Sequence, residues 1–282
     1  MIEIKEITDF KQIYSYYKKL NCPYFFETNF ASWQKSFMSD IDGNGNALFK
    51  TLFVKGAFEN NKLIGFIQYG ISSFGFTENG DISHNITYPI IRNLFFDKKN
   101  PEAGERLLQV ALDFFENSNT IYAFFHYFGM SCYARHGKLF EKYVHVETLL
   151  QNHGFVIEHK NVYYSLRITK KAPIEVSIVP HNLTNGNQQG LDFLIDNSQV
   201  GGCEIHFVNN KIAYLRWIYI NNDITGQGIG SKCMIALNNW LVSKGITQLD
   251  ADTSISNEIA QHYYLKNNFI CKGKSKSFYK HK

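Results

Sequence analysis

The chain has 282 residues, 44% hydrophobic and 19% charged, which is enough for one large core or two ordinary ones and too apolar for a disordered polymer. A net charge of +4 suits an anionic ligand but is too weak to argue for nucleic acid, so no nucleic-acid partner is expected. Five scattered cysteines without a CxxC argue against a disulfide framework or a cysteine zinc site and favour a reducing compartment.

The opening MIEIKEITDF carries charge where a signal peptide is apolar, and no apolar run reaches the length of a membrane span. The expectation is a cytoplasmic protein without a membrane partner, a monomer or a homodimer. Ile2–Ile7 alternates as a strand, and Asp9 caps a helix to about Leu20, with Phe10, Ile13, Tyr14 and Tyr17 at helical spacing. A second helix is predicted over Phe30–Met38 and a loop over Asp42–Asn46. Phe49–Phe58 and Lys62–Gly70 flank Glu59–Asn61 as a hairpin, and Ile86–Phe96 is a long apolar strand. Pro101 opens a helix to about Asn117, a strand follows at Thr120–Phe125, and another helix ends near Gln151. Phe155–His159 and Val162–Arg167 close this first pattern.

A break at Ile168–Pro173 precedes a second pattern, which begins with a strand at Ile174–Val179. The polar stretch His181–Gln189 is too short for two helices, and strands follow at Leu191–Asp196, Cys203–Val208 and Ile212–Ile220. A glycine loop, a helix over Ser231–Ser243, a strand at Thr247–Ala251, a helix over Glu258–Lys266 and final strands from Phe269 complete it. The order of elements repeats, with Gly104 aligning on Gly230 and Gly154-Phe155 on Asn268-Phe269, which points to an internal duplication of architecture. The domains predicted are 1–168 and 173–282, the second lacking most of the early helices.

The most informative segment is Ile218-Tyr219-Ile220 running into Thr225-Gly226-Gln227-Gly228-Ile229-Gly230-Ser231. Three glycines between an apolar strand and a helix let the backbone approach a ligand, and the free N–H groups of the first helical turn suit a pyrophosphate. A P-loop lysine is missing, and a dinucleotide fold would place such a loop after the first strand of a parallel sheet. Further on, Asn257, Ala260, Tyr264 and Phe269 form a second cluster. Together these two pieces resemble the GCN5-related N-acetyltransferase (GNAT) superfamily over about residues 174–282.

In that family a strand leads into Q/R-x-x-G-x-G/A, whose amides hold the coenzyme A pyrophosphate; Gly228 and Gly230 stand at the two glycine positions. Thr225 replaces the usual Arg or Gln, and Asn268 replaces a Gly. The resemblance implies an α+β fold, two tandem GNAT-like domains each with a central, mostly antiparallel twisted sheet flanked by helices. It also implies an N-acetyltransferase that moves the acetyl group of acetyl-CoA to the amine of a small molecule or peptide by direct attack. A backbone N–H near Ile218–Ile220 would polarise the thioester, and Tyr264 would protonate the leaving sulfur, with Tyr263 as the fallback. The residues expected around the cofactor are Ile218–Ile220, Thr225–Ser231, Asn257, Ala260 and Tyr264.

The base is left among Glu204, Asp250, Asp252 and Asp192, with Glu204 put first. His126, His136, His145, His153 and His159 lack metal spacing, so no metal site is expected. Lys272, Lys274, Lys276, Lys280 and Lys282 form a basic end that reads as a solvated strand or a contact for the coenzyme's 3′-phosphate. In the first copy, Asn100 and Glu102 stand where Gly226 and Gly228 stand in the second, and a carboxylate there opposes a pyrophosphate. That copy is expected to bind no coenzyme and to support the acceptor pocket. A non-catalytic acyl-CoA-binding or scaffold protein is the alternative to an enzyme.

Overall fold

The computed structural model describes residues 1–41, 45–133, 137–182 and 187–282. The predicted loop at Asp42–Asn46, His136 and much of the stretch His181–Gln189 fall wholly or partly outside these. The chain divides into two compact units, Met1–Lys160 with Ser275–Lys282, and Asn161–Lys274. The sequence placed its domains at 1–168 and 173–282; the compact units divide after Lys160, and Ser275–Lys282 go with the first.

The first unit begins with β1 (Ile2–Glu6), α1 (Phe10–Lys19) and α2 (Phe30–Met38). Asp9 caps α1 as expected, its side chain accepting from the Lys11 N–H. The structure adds a cap at Asn29, which accepts from the Ser32 N–H at the start of α2. The helical spacing buries Ile13 and Tyr17 of α1, and Trp33 and Phe37 of α2. β2 (Phe49–Glu59) and β3 (Lys62–Ser72) form the predicted hairpin, with Asn60 and Asn61 both at positive φ, the turn that matches strand twist.

The short β4 (Gly75–Phe76) and β5 (Ile82–Ser83) precede β6 (Pro89–Phe96), α3 (Pro101–Phe114), β7 (Thr120–Ala123), β8 (Leu139–Phe140) and α4 (Val144–Asn152). Strand order runs β1-β2-β3-β6-β7, all antiparallel except the parallel pair β6–β7. The core is largely aromatic, with Trp33 and Phe37 stacked at 4.6 Å and Tyr17 stacked on Tyr133 at 5.4 Å. Buried Arg92 donates to Asp40 at 3.1 Å and to the carbonyls of Ser36, Phe37, Phe128 and Gly129, so its charge is fully matched.

β9 (Val156–Arg167) is one strand where two were expected, and its residues from Asn161 on belong to the second unit. There follow β10 (Ser177–Asn182), β11 (Gln188–Ile195), β12 (Ser198–Phe207), β13 (Ile212–Ile220), α5 (Ile229–Ser243), β14 (Gln248–Ser254), α6 (Glu258–Lys266) and β15 (Ile270–His281). The second unit's order is β10-β11-β12-β13-β14-β9, antiparallel except for the parallel pair β13–β14. It repeats the first unit's plan of a parallel pair joined by a helix.

The sixth strand of each sheet comes from an unexpected place in the sequence. Asn161–Arg167, which follow the first unit's last helix, pair with β14, while Phe278–His281 pair with β7. Phe278 is fully buried and belongs to the first unit's core. All five cysteines are free, and among the described residues no helix is long and apolar enough to cross a membrane.

Phe278→Ala should therefore cost the first unit about 3–5 kcal/mol, the usual penalty for emptying a buried Phe site. Amide exchange in β7 should accelerate while that in β11 and β12 stays unchanged; equal protection of β7 in mutant and wild type would refute the pairing.

Candidate active site

The site grows from a mismatch of register in the second unit. β13 and β14 pair in parallel from Ile212/Gln248 to Leu215/Ala251 and then part. Beyond that point Trp217–Ile220 stay on β12, while Asp252–Ser254 stay on β9. Glu204 faces Trp217 and Ile205 faces Leu215, so Arg216 is the extra residue of a β-bulge, a feature that bends a strand and re-aims a side chain. The opening is a cleft of about 520 Å³, lined by Arg216–Ile220, Thr225, Gly226, Gly228, Gly230 and Ser231 on one side. Asp252, Thr253, Asn257, Ile259, Ala260, Tyr263, Tyr264 and Lys266 line the other. Its size is that of a small-molecule site.

One end of the cleft is the glycine loop. Gly226 and Gly228 sit at φ +78° and +83°, and a Cβ at either would meet no heavy atom within 4 Å. The left-handed backbone calls for glycine, and the empty space beside it is where a ligand can reach the main chain. α5 has Gly228 as its N-cap and no side-chain cap; the Ser231 and Lys232 amides donate to the Gly228 carbonyl, and no capping side chain covers the amides ahead of them. Gly230 has a different reason: a Cβ would come within 3.1 Å of the Tyr263 ring, whose hydroxyl donates to the Gly230 carbonyl at 2.8 Å. Tyr263 thus braces the loop from α6.

Of the residues expected at the cofactor, Ile218, Tyr219, Ile220, Thr225, Gly226, Gly228, Gly230, Ser231, Asn257, Ala260 and Tyr264 line the cleft. Gln227 points to solvent, and Ile229 packs on the core. Asn257 caps α6, accepting from the Ala260 N–H at 3.0 Å. Tyr264 is buried in the wall against Tyr164 and Phe269. Desolvation, with the nearby Asp252 charge added, pushes its phenol above the usual range, so it stays protonated. Asn268, in the place of the family's glycine, adopts φ +66°, a conformation asparagine tolerates better than other side chains.

The four candidate bases separate. Glu204 accepts from Arg216 and, at 2.8 Å, from the Trp217 indole, and is not among the residues that line the cleft. Asp250 is fully buried and accepts from Tyr163 at 2.8 Å and from Gln248 at 3.0 Å. Asp192, on β11, accepts from Gln199 Nε2 of β12 at 2.8 Å. Asp252 is the candidate that lines the cleft; it accepts from Tyr214 and Asn161. Among the basic end, Lys276 pairs with Glu147 at 2.6 Å, and none of the five lysines lines the cleft.

Arg216, Trp217 and Lys266 were not foreseen. Trp217 and Tyr219 stack at 5.4 Å, 47% and 42% exposed. Their alternation with Ile218 and Ile220 was visible in the sequence and marks a strand with one open face.

The corresponding opening of the first unit is closed. β6 and β7 part after Ile91/Ala123, but Phe95 packs there against Phe124 at 5.8 Å and Tyr143 at 5.2 Å. A void of about 10 Å³ remains, room for about one water. Glu102 in the first turn of α3 pairs with Arg106, and a Cβ on Gly104 would strike the Phe96 ring at 2.5 Å. This glycine serves packing.

The sequence model of the family described as Acetyltransferase (GNAT) family matches residues 166–269. No curated protein sequence matches the chain. Among solved structures, a tandem GNAT protein from the clavulanic acid biosynthesis pathway is similar over 100% of this chain and 98% of its own, with TM-score 0.63 and 8% identity. An acetyltransferase from the GNAT family of Colwellia psychrerythraea covers 99% of this chain and 100% of its own at TM-score 0.52 and 13% identity. A GCN5-related glucosamine N-acetyltransferase region of a fungal multi-domain GH3 β-N-acetylglucosaminidase covers 99% of this chain at TM-score 0.64 and 10% identity, over 38% of that protein. Residues 166–269 are a GNAT domain, and the chain has the tandem GNAT fold with a first copy that lacks the ligand loop.

Burial raises the phenols of Tyr163, Tyr214, Tyr263 and Tyr264 above the ordinary value. Stability that is fully present below about pH 10 is then lost as pH climbs, because only the unfolded chain ionises readily. The ultraviolet phenolate signal of these four should appear together with unfolding of the second unit; free ionisation in the folded unit would contradict their burial.

Proposed function

We propose that the second unit transfers the acetyl group of acetyl-CoA to an amine of a small molecule or peptide. The observation that carries this is the wedge between β13 and β14, bare glycine amides at one end and a protonated, buried tyrosine in the wall. Open space beside Gly226 and Gly228 fits a diphosphate, and the positive end of α5 faces it. Thr225 supplies no cation, so main-chain amides carry most of this binding. The stretch Trp217–Ile220, released from β14, offers unpaired main-chain groups to an amide-bearing arm and an N–H to the thioester carbonyl.

In this reading the amine nitrogen attacks the carbonyl carbon, and the carbon–sulfur bond breaks. Tyr264 gives its proton to the departing thiolate, and Asp252 takes the proton shed by the amine, directly or through water. Tyr263, whose hydroxyl is engaged by Gly230, keeps the loop in shape. Glu204 fixes Arg216 and Trp217, and we assign it this positioning role in place of the base. The protein would act in the cytoplasm on a soluble acceptor.

Titration of the full chain with coenzyme A, followed by acetyl-CoA turnover on an amine panel, tests the assignment. Gly228→Val should weaken coenzyme A binding at least tenfold, about 1.4 kcal/mol, by filling the approach and straining the loop. Tyr264→Phe should lower kcat by about 10²–10³ while the coenzyme dissociation constant holds. Unchanged turnover removes Tyr264 as the acid. Tight coenzyme binding with no acetylation across the panel would favour a non-catalytic acyl-CoA-binding protein instead.

A further inference from the structure

A second cluster of reactive side chains belongs to the first unit and plays no part in acyl transfer. The 3₁₀ turn His126–Phe128, which follows β7, and the strand β9 bring His126, Glu158 and His159 together. One ring nitrogen from each histidine and one carboxylate oxygen all lie within 4.8 Å of one another. His159 Nε2 is 3.8 Å from Glu158 Oε1, and the two imidazoles meet edge to face, centroids 5.0 Å apart at 90°. The other carboxylate oxygen, Oε2, accepts from the Ser277 hydroxyl at 3.0 Å, and Ser277 is fully buried. Glu158 is thereby oriented, one oxygen held from behind and the other turned to the imidazoles, as a supporting hydrogen bond orients a metal-ligating carboxylate.

We propose that His126, Glu158 and His159 bind one transition-metal dication, Zn(II) being the ion they suit, with solvent completing the coordination. Two imidazoles and one carboxylate make a borderline donor set that favours Zn, Co or Ni over the all-oxygen preference of Mg and Ca. Donor distances of about 2.0–2.1 Å to zinc bring the ligand atoms to roughly 3.3 Å from each other, so the cluster must contract on binding. The His159 side chain is 55% exposed and can swing inward with little packing to break. Glu158 is 18% exposed and pinned by Ser277, and with partly buried His126 it forms the fixed side of the site. The bound ion would tie the turn after β7 to β9, closing a long loop of the first unit, and so would stabilise that unit. The bland alternative, an exposed histidine–glutamate pair, would contribute little and would show no preference among metals.

The test is calorimetric titration of the full chain with zinc chloride in a buffer that does not coordinate metals. Saturable one-to-one binding is expected, with no comparable heat from magnesium and a visible low-coordination band when cobalt(II) is added. His126→Ala, Glu158→Gln and His159→Ala should each weaken zinc at least tenfold and abolish the zinc-induced rise in the first unit's melting temperature. Near-ultraviolet dichroism of each variant, matched to wild type, keeps a folding defect from passing as lost ligation; exposed His159 is the variant least exposed to that risk. Absence of saturable zinc binding in the wild type, or equal affinity in all three variants, overturns the proposal.

Discussion

The parting of β13 from β14 is the constraint on which the candidate site rests. Two adjacent parallel strands normally share their hydrogen bonds to the end, and here they stop at Leu215/Ala251. The bulge at Arg216 lets β13 follow β12 while β14 follows β9, so each strand keeps one partner and surrenders the other. Main-chain groups that would be satisfied across the sheet are left facing a cleft. The glycine loop, the wall tyrosines and Asp252 matter chemically because they border that opening.

The two units show how much the same plan can differ in chemistry. Both contain a parallel pair joined by a helix, and both pairs part. In the first unit aromatic rings fill the gap: Phe95, Phe124 and Tyr143 are buried there, and Phe96 occupies the space beside Gly104. In the second, small residues on the loop and Tyr264 set back in the wall leave the gap open. Filled, the wedge yields core packing; open, it yields a site, at the cost of apolar contacts given up. The same glycine position is a packing contact in both units, since Gly230 accommodates Tyr263 as Gly104 accommodates Phe96. What distinguishes the second unit's loop is the pair of glycines before that position, Gly226 and Gly228, whose left-handed backbone no side chain obstructs.

Each sheet is completed by a strand from the far side of the other unit's sequence, Asn161–Arg167 on β14 and Phe278–His281 on β7. The first unit is therefore discontinuous in the chain, whereas the second, Asn161–Lys274, is one continuous stretch. Asn161, Tyr163 and Tyr164 enter the neighbourhood of the cleft this way, as donors to Asp252 and Asp250 and as a ring against Tyr264. The carboxylates around the site thus owe part of their environment to residues that a linear boundary at Ile168 would have put elsewhere.

By itself the sequence determined the local elements and the glycine loop. Asp9 announced a helix start, Asn60-Asn61 a tight hairpin, and Gly226-Gln227-Gly228 a strand-to-helix turn, because each depends on neighbours a few residues away. Asn257, Ala260 and Tyr264 were legible for the same reason, sharing one helix at fixed spacing. Only the tertiary structure decided which carboxylate reaches the cleft, where the units divide, and that His126 lies beside His159. Glu204, Asp250 and Asp252 look alike as residues on strands; their ion pairs, burial and access follow from the register of β12, β13, β14 and β9, which no single segment encodes. Cross-strand pairing joins residues distant in the chain, and it is there that the chemistry of this protein is set.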